Sequence, residues 1–150
     1  MKRVLLVLAL GAGIATAVHA QIKPENQLKL RKSAYALMGY SFAPLEAMAE
    51  GKRPYSRDDA VRAADLLVQV SQVPKGMFGE GTDKVGETRA KPEIWTHRAD
   101  FDAKMNKMVE EVAKLSQAAR SGDEAQLKKA VHDVDNACNA CHDQYRAKRQ

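Results

Sequence analysis

Four segments of the chain carry apolar residues at alternating steps of three and four, the spacing that lines one face of an α-helix. Proline and glycine residues separate these segments, and no stretch alternates apolar and polar residues as a half-buried strand would. The predicted helices run from Pro24 to about Glu50 with a break or kink at Pro44, from the N-cap Ser56 to Pro74, from the PEIW stretch to Gly122, and from Asp123 almost to the C-terminus. A glycine-rich loop at 75–91 joins the second helix to the third. The pattern therefore predicts an all-α protein, an antiparallel four-helix bundle.

The first predicted helix carries two adjacent apolar stripes, although a bundle needs only one to form its core. One stripe consists of Leu30, Ala34 and Leu37. The other consists of Leu28, Arg31, Tyr35, Met38 and Phe42. We expect this second stripe to cover a partner subunit or a cofactor, and a wide core-facing surface is the alternative.

The N-terminus has the parts of a secretory signal peptide. Lys2 and Arg3 precede an apolar run of 15 residues from Val4 to Val18, and small residues stand at the −3 and −1 positions of a cleavage site after Ala20. The run is shorter than the roughly 20 apolar residues of a membrane-spanning helix. We expect residues 1–20 to be removed on export, which leaves 21–150 as a single domain.

The charge pattern gives little support to nucleic-acid binding. The formal net charge is +5, but the basic residues alternate with acidic ones and are not interleaved with aromatic residues.

The stretch CNACH at 138–142 contains the only two cysteines of the chain. On a helix, Cys138, Cys141 and His142 project to nearly the same face. A zinc site needs more ligands than this group supplies, and a thioredoxin-like redox pair needs a preceding strand. A disulfide between residues three apart would restrain little chain entropy, and it leaves His142 without a role. The disulfide and the redox pair stay open, but covalent haem uses all three residues: two thioethers to the porphyrin and an axial imidazole ligand to iron.

Further stretches resemble the cytochrome c′ family, the high-spin class II c-type cytochromes. They are KPENQLKLRKSAYALM in the first helix, FGEGTDK in the loop and KPEIW before the third helix, together with CNACHDQYR near the end. The resemblance extends from about Pro24 to Gln150. It implies a periplasmic homodimer of four-helix bundles with one covalent haem c per subunit, in which His142 is the sole protein ligand and the iron is five-coordinate.

The resemblance also implies roles for individual residues. Tyr35 matches the position of the side chain that covers the open face of the haem. Contacts to the haem or its propionates are implied for Arg31, Lys32, Glu87 and Thr88. Arg146 matches the basic residue one turn after the histidine, and a cation that favours the helix dipole is the alternative for it. For Arg31, an arginine inside an apolar stripe is consistent with a propionate partner, and a snorkelling surface arginine is the alternative.

The function implied is binding of small diatomic gases, nitric oxide and carbon monoxide, in connection with nitric oxide handling. The alternative is a low-spin electron carrier in which Met38 occupies the sixth position of the iron. A peroxidase-like enzyme would need a distal acid/base pair, and the first helix contains no histidine. We therefore expect a non-enzymatic protein with possible redox partner proteins and without a nucleic-acid or membrane partner.

Overall fold

The computed structural model describes residues 22–148, so the expected signal peptide lies outside the described residues. Within them the helices are α1 (Pro24–Ala49), α2 (Arg57–Ser71), α3 (Glu93–Thr96), α4 (Arg98–Ser121) and α5 (Glu124–Tyr145), with a 3₁₀ turn at Val73–Gly76. The four long helices α1, α2, α4 and α5 form the predicted four-helix bundle. None of the helices between residues 22 and 148 combines the length and the apolar composition of a membrane-spanning segment.

The long helices form a closed ring of neighbours. α1 packs against α2 and α5, and α4 also packs against α2 and α5. The centre is filled by side chains that are almost fully buried, among them Leu45, Leu67, Phe101, Leu115 and Leu127. The α1–α5 side, which joins the two ends of the domain, is the least extensive of the four.

Polar caps define where two of these helices begin. The Ser56 hydroxyl accepts a hydrogen bond from the backbone N–H of Asp59 at 3.3 Å, as the sequence predicts for the start of α2. The Asp123 carboxylate accepts two backbone N–H groups of the first turn of α5, at 2.9 and 3.1 Å. Gly122, with φ of 78°, ends α4 in the left-handed conformation that glycine adopts without strain, and α5 therefore reverses direction immediately.

The break or kink predicted at Pro44 is not a break, because α1 continues through this residue to Ala49, and a kink there stays a prediction. Pro44 cannot donate to the carbonyl of Tyr40, but Tyr40 is 76% exposed, so the unpaired carbonyl belongs to a turn on the solvent side of the helix. The third predicted helix is in fact two helices, since the backbone at His97 leaves helical geometry at φ −116°, ψ 45°. α2 ends at Ser71, three residues earlier than predicted, because Pro74 belongs to the 3₁₀ turn.

Candidate functional site

A cavity of about 800 Å³ opens between α1 and α5 and extends to α4. Its deep part is lined by apolar side chains of several helices, including Leu67, Ile94, Phe101, Met105 and Val134. Its lining also includes exposed charged side chains, among them Lys32, Glu87 and Arg146, and the buried Arg31. The volume falls within the range of ~300–1,000 Å³ that is typical of cofactor and ligand sites.

The α5 wall of the cavity carries the cysteine–histidine motif. Cys138, Cys141 and His142 all line the cavity and are half-buried, and the two thiols are free. Burial raises the pKa of the Cys138 thiol to about 11 and also raises the pKa of Cys141. Burial, followed by the nearby Arg146 and Arg89, lowers the pKa of His142. At neutral pH this wall therefore presents two protonated thiols and a neutral imidazole with a free lone pair.

These groups fit a covalently held haem c. Two thiols and a neutral nitrogen donor stand together on one wall, as thioether formation and axial ligation require. The rest of the lining is largely apolar, which suits a porphyrin ring. Cys138 and Cys141 would hold the group through its vinyl carbons, and His142 would bind its iron.

The α1 wall carries Tyr35 and Met38. The Tyr35 hydroxyl lies 3.9 Å from the Met105 sulfur of α4, so the phenol ring reaches across part of the cavity. Burial raises the pKa of this phenol far above its ordinary value, so Tyr35 is neutral throughout the physiological range. Met38 is 8% exposed and packs with the core, yet it also lines the cavity. Tyr35 and Met38 are the two residues that the sequence analysis placed near the sixth position of a haem iron. They thus belong to the same wall.

Arg31 is buried at 3% exposure and connects α1 to the loop. Its guanidinium donates to the carbonyl oxygens of Met77 and Thr82, both at 3.2 Å, and to the Thr88 hydroxyl at 3.1 Å. It also lies over the Phe78 ring, 4.6 Å from the centroid. Arg31 is therefore neither a snorkelling surface arginine nor a residue without protein partners: it fixes the loop against α1 at the edge of the cavity.

The neighbouring predicted residues stand at the same edge. Lys32 is exposed and donates to the backbone carbonyl of Glu87 at 3.3 Å. The Thr88 hydroxyl, besides binding Arg31, accepts the N–H of Ala90 at 3.1 Å. All nine residues assigned to the site from the sequence thus line one cavity: Arg31, Lys32, Tyr35, Glu87, Thr88, Cys138, Cys141, His142 and Arg146.

Arg89 is a cavity residue that the sequence analysis missed. An isolated antiparallel bridge pairs Ala90 with Arg146, and it brings Arg89 to the same edge as the end of α5. The bridge joins positions more than 50 residues apart, so spacing along the chain could not reveal it. The only signal was the tripeptide RAK, which occurs at both 89–91 and 146–148.

Two carboxylates, also missed, line the cavity at Glu46 of α1 and Asp135 of α5. Burial, followed by the proximity of Asp135, raises the pKa of Glu46. Asp135 could have been found, since it lies seven residues before His142 and therefore on the same face of α5.

Comparisons with known proteins agree with this architecture. The family model described as Cytochrome C' matches residues 26–146. The cytochrome c′ of Rubrivivax gelatinosus is 39% identical over 126 residues, which cover 84% of this chain and 98% of that protein. The cytochrome c′ of Alcaligenes xylosoxydans xylosoxydans is 38% identical over 127 residues, with 85% and 98% covered.

Solved structures give the same result. The crystal structure of the Rubrivivax gelatinosus protein superposes with a TM-score of 0.81 at 38% identity, covering 83% of this chain and 98% of that chain. A nitric oxide complex of a variant of cytochrome c prime from Alcaligenes xylosoxidans superposes with a TM-score of 0.79 at 36% identity, covering 87% and 100%.

Proposed function

The chain belongs to the cytochrome c′ family, and from this membership we propose that it is a periplasmic high-spin cytochrome that binds small diatomic gases at one covalent haem c. The observation that carries the proposal is the composition of the two cavity walls. The α5 wall holds both thiols and the imidazole, whereas the α1 wall holds the bulky side chains of Tyr35 and Met38. Among the described residues, His142 is the only histidine that lines the cavity.

The cysteines, the histidine and the tyrosine that line the cavity have separate roles in this proposal. Cys138 and Cys141 would hold the ring by covalent bonds, and His142 would supply a nitrogen ligand to its iron. A haem held in this way would supply an iron that can bind a diatomic ligand. The neutral Tyr35 ring on the α1 wall would have to be displaced by such a ligand, and small uncharged ligands would lose the least binding free energy by displacing it.

A nitric oxide complex has been solved for a related cytochrome c prime from Alcaligenes xylosoxidans. This supports a gas-binding role for the present chain. We accordingly place the protein in nitric oxide handling and assign no enzymatic step to it.

The absorption spectrum of the purified ferrous protein tests the proposal. We expect a high-spin spectrum without added ligand, followed by formation of a carbon monoxide adduct on titration. A low-spin ferrous spectrum in the absence of any ligand would contradict a free sixth position.

The second candidate is a low-spin electron carrier, and the position of Met38 on the cavity wall favours it. Here the thioether of Met38 would take the sixth position and raise the reduction potential. Met38→Leu separates the two functions, because the swap nearly conserves volume and should cost less than about 1.5 kcal/mol of stability. Under the main proposal the spectrum is unchanged, and under the second it turns from low-spin to high-spin.

An exposed apolar strip on the opposite side of α1 supports the homodimer that the family implies. Leu30, Leu37 and Tyr40 are 41%, 47% and 76% exposed, and Leu66 of the neighbouring α2 is 39% exposed. Burying this strip against a second copy would remove four large side chains from water. Sedimentation of Leu37→Glu tests it, with a monomer expected.

A further inference from the structure

Two copies of the same basic tripeptide meet beside the α5 wall of the cavity. Arg89-Ala90-Lys91 precedes α3, and Arg146-Ala147-Lys148 follows α5. We call the four cationic residues of these tripeptides the basic clamp: Arg89, Lys91, Arg146 and Lys148.

Backbone hydrogen bonds hold the two tripeptides together. The N–H of Lys91 donates to the carbonyl of Tyr145 at 3.0 Å, and the N–H of Ala147 donates to the carbonyl of Arg89 at 2.8 Å. Tyr145, only 2% exposed, donates its hydroxyl to Asp100 at 2.5 Å and so anchors the end of α5 in the core. The backbones of the two tripeptides are therefore held side by side, so their cationic residues belong to one region of the surface rather than to two independent tails.

The charges of the basic clamp are available to a partner. Arg89, Arg146 and Lys148 are exposed, and Lys91 is half-buried. Of the ion pairs formed within residues 22–148, none includes a residue of the basic clamp. An acidic partner would supply counterions to these cations.

Two residues of the basic clamp also lie close to His142, the proposed iron ligand. Arg89 and Arg146 line the cavity, and both act electrostatically on the His142 ring. Asp143, the exposed residue next to His142, acts in the opposite direction. A protein docked on the basic clamp would therefore be next to the iron ligand rather than at a remote surface.

We propose that the basic clamp is the docking surface for a small electron-transfer protein with an acidic face. The proposal rests on the haem c function above and adds to it the place at which electrons enter. One electron leaves the reduced centre of the acidic partner and enters ferric iron, giving ferrous iron and the oxidised partner; no bond or proton has to move. The ferrous state is the one that binds carbon monoxide, so this reduction prepares the form that binds this gas.

A plant-type [2Fe–2S] ferredoxin, a small acidic protein of low potential, serves as the probe. Isothermal titration calorimetry of the full haem-loaded protein with oxidised ferredoxin measures binding without electron transfer, and stopped-flow mixing with reduced ferredoxin measures haem reduction. At about 10 mM ionic strength we expect binding that weakens strongly on going to about 100 mM, where the screening length shortens to roughly 10 Å.

Charge reversals locate the surface. Arg89→Glu and Lys148→Glu should each weaken binding roughly tenfold at low ionic strength and slow haem reduction in parallel. Lys148 does not line the cavity, so its variant separates docking from changes at the haem. The matched control is Lys128→Glu, which changes the net charge equally but lies 18 residues before Arg146, or ~27 Å along a helix, and should change binding less than about twofold.

Equal weakening by all three variants would overturn the proposal, because only the net charge would then matter. Absence of wild-type binding, or binding unaffected by the two clamp variants, would overturn it as well. The absorption spectrum recorded before mixing reports separately on the haem. A protein without covalent haem would refute the proposed function, while calorimetry would still report on the basic clamp.

Discussion

Replacing Arg31 by methionine should destabilise the protein by ~2–4 kcal/mol. The variant keeps a long apolar side chain but removes three hydrogen bonds, to Met77, Thr82 and Thr88. Hydrogen bonds from a charged donor contribute about 1.5–3 kcal/mol each, and buried acceptors left unpaired cost about 1–3 kcal/mol each. The substitution also removes the unfavourable free energy of burying the guanidinium, and this gain offsets part of the loss. The same burial lowers the pKa of Arg31. The net estimate is therefore well below the sum of three bonds.

Urea unfolding of the haem-loaded protein measures this loss. Lys32→Met is the matched control, because Lys32 is exposed and forms one bond of 3.3 Å to the loop, so it should cost less than about 0.5 kcal/mol. Trypsin provides a second measurement, since Lys84 lies exposed in the same loop and should be cleaved faster once Arg31 no longer fixes it. If Arg31→Met costs no more than Lys32→Met, the loop is held by other contacts and the reasoning fails.

Three further predictions concern the haem and the surface charges. Replacing Cys138 and Cys141 by alanine should allow acid–acetone to extract the haem, because both thioethers are lost; extraction of all haem from the wild-type protein as well would contradict covalent attachment. Tyr35→Ala should raise the carbon monoxide affinity of the ferrous protein, by about tenfold for each 1.4 kcal/mol of ring displacement that is relieved, and an unchanged titration would mean that another side chain screens the iron. Glu111→Gln should make the free energy of unfolding depend less on pH in the acidic range. Hydrogen bonds from Lys107 and Lys114 hold the pKa of Glu111 below its usual 4.5, so its contribution is complete above that value and is lost as the pH falls through the lower folded pKa. Urea unfolding at several pH values checks this, and parallel curves for the two proteins would rule out the contribution.

The elements that the sequence predicts well are those determined by local chemistry. The α2 N-cap follows from Ser56, whose hydroxyl is the correct acceptor at the correct position, and the end of α4 follows from Gly122. The common face of Cys138, Cys141 and His142 follows from helix geometry alone. The helix break at His97 was missed because the periodicity of apolar residues continues across it, from Ile94 to Phe101.

The parts of the site that the sequence could not predict depend on contacts between distant segments. The loop partners of Arg31 lie 46 to 57 residues away, so the stripe on α1 indicated an unusual arginine but not its contacts. Likewise, the exposed and buried sides of α1 could be separated only by packing. Leu37 turned out to be 47% exposed, whereas Met38, one residue on, is 8% exposed.

The limited contact between α1 and α5 has a consequence for the order in which the domain folds. The other three sides of the bundle join helices that follow one another in the chain, and such pairs meet quickly because little loop entropy opposes them. Closing the α1–α5 side instead brings together segments about 100 residues apart, and it contributes the least packing in return. We expect this side to close last, with mutational φ-values near zero there. The α1–α5 side, which we expect to close last, also contains the cavity. A large planar group can therefore enter the cavity before the ring of helices is complete.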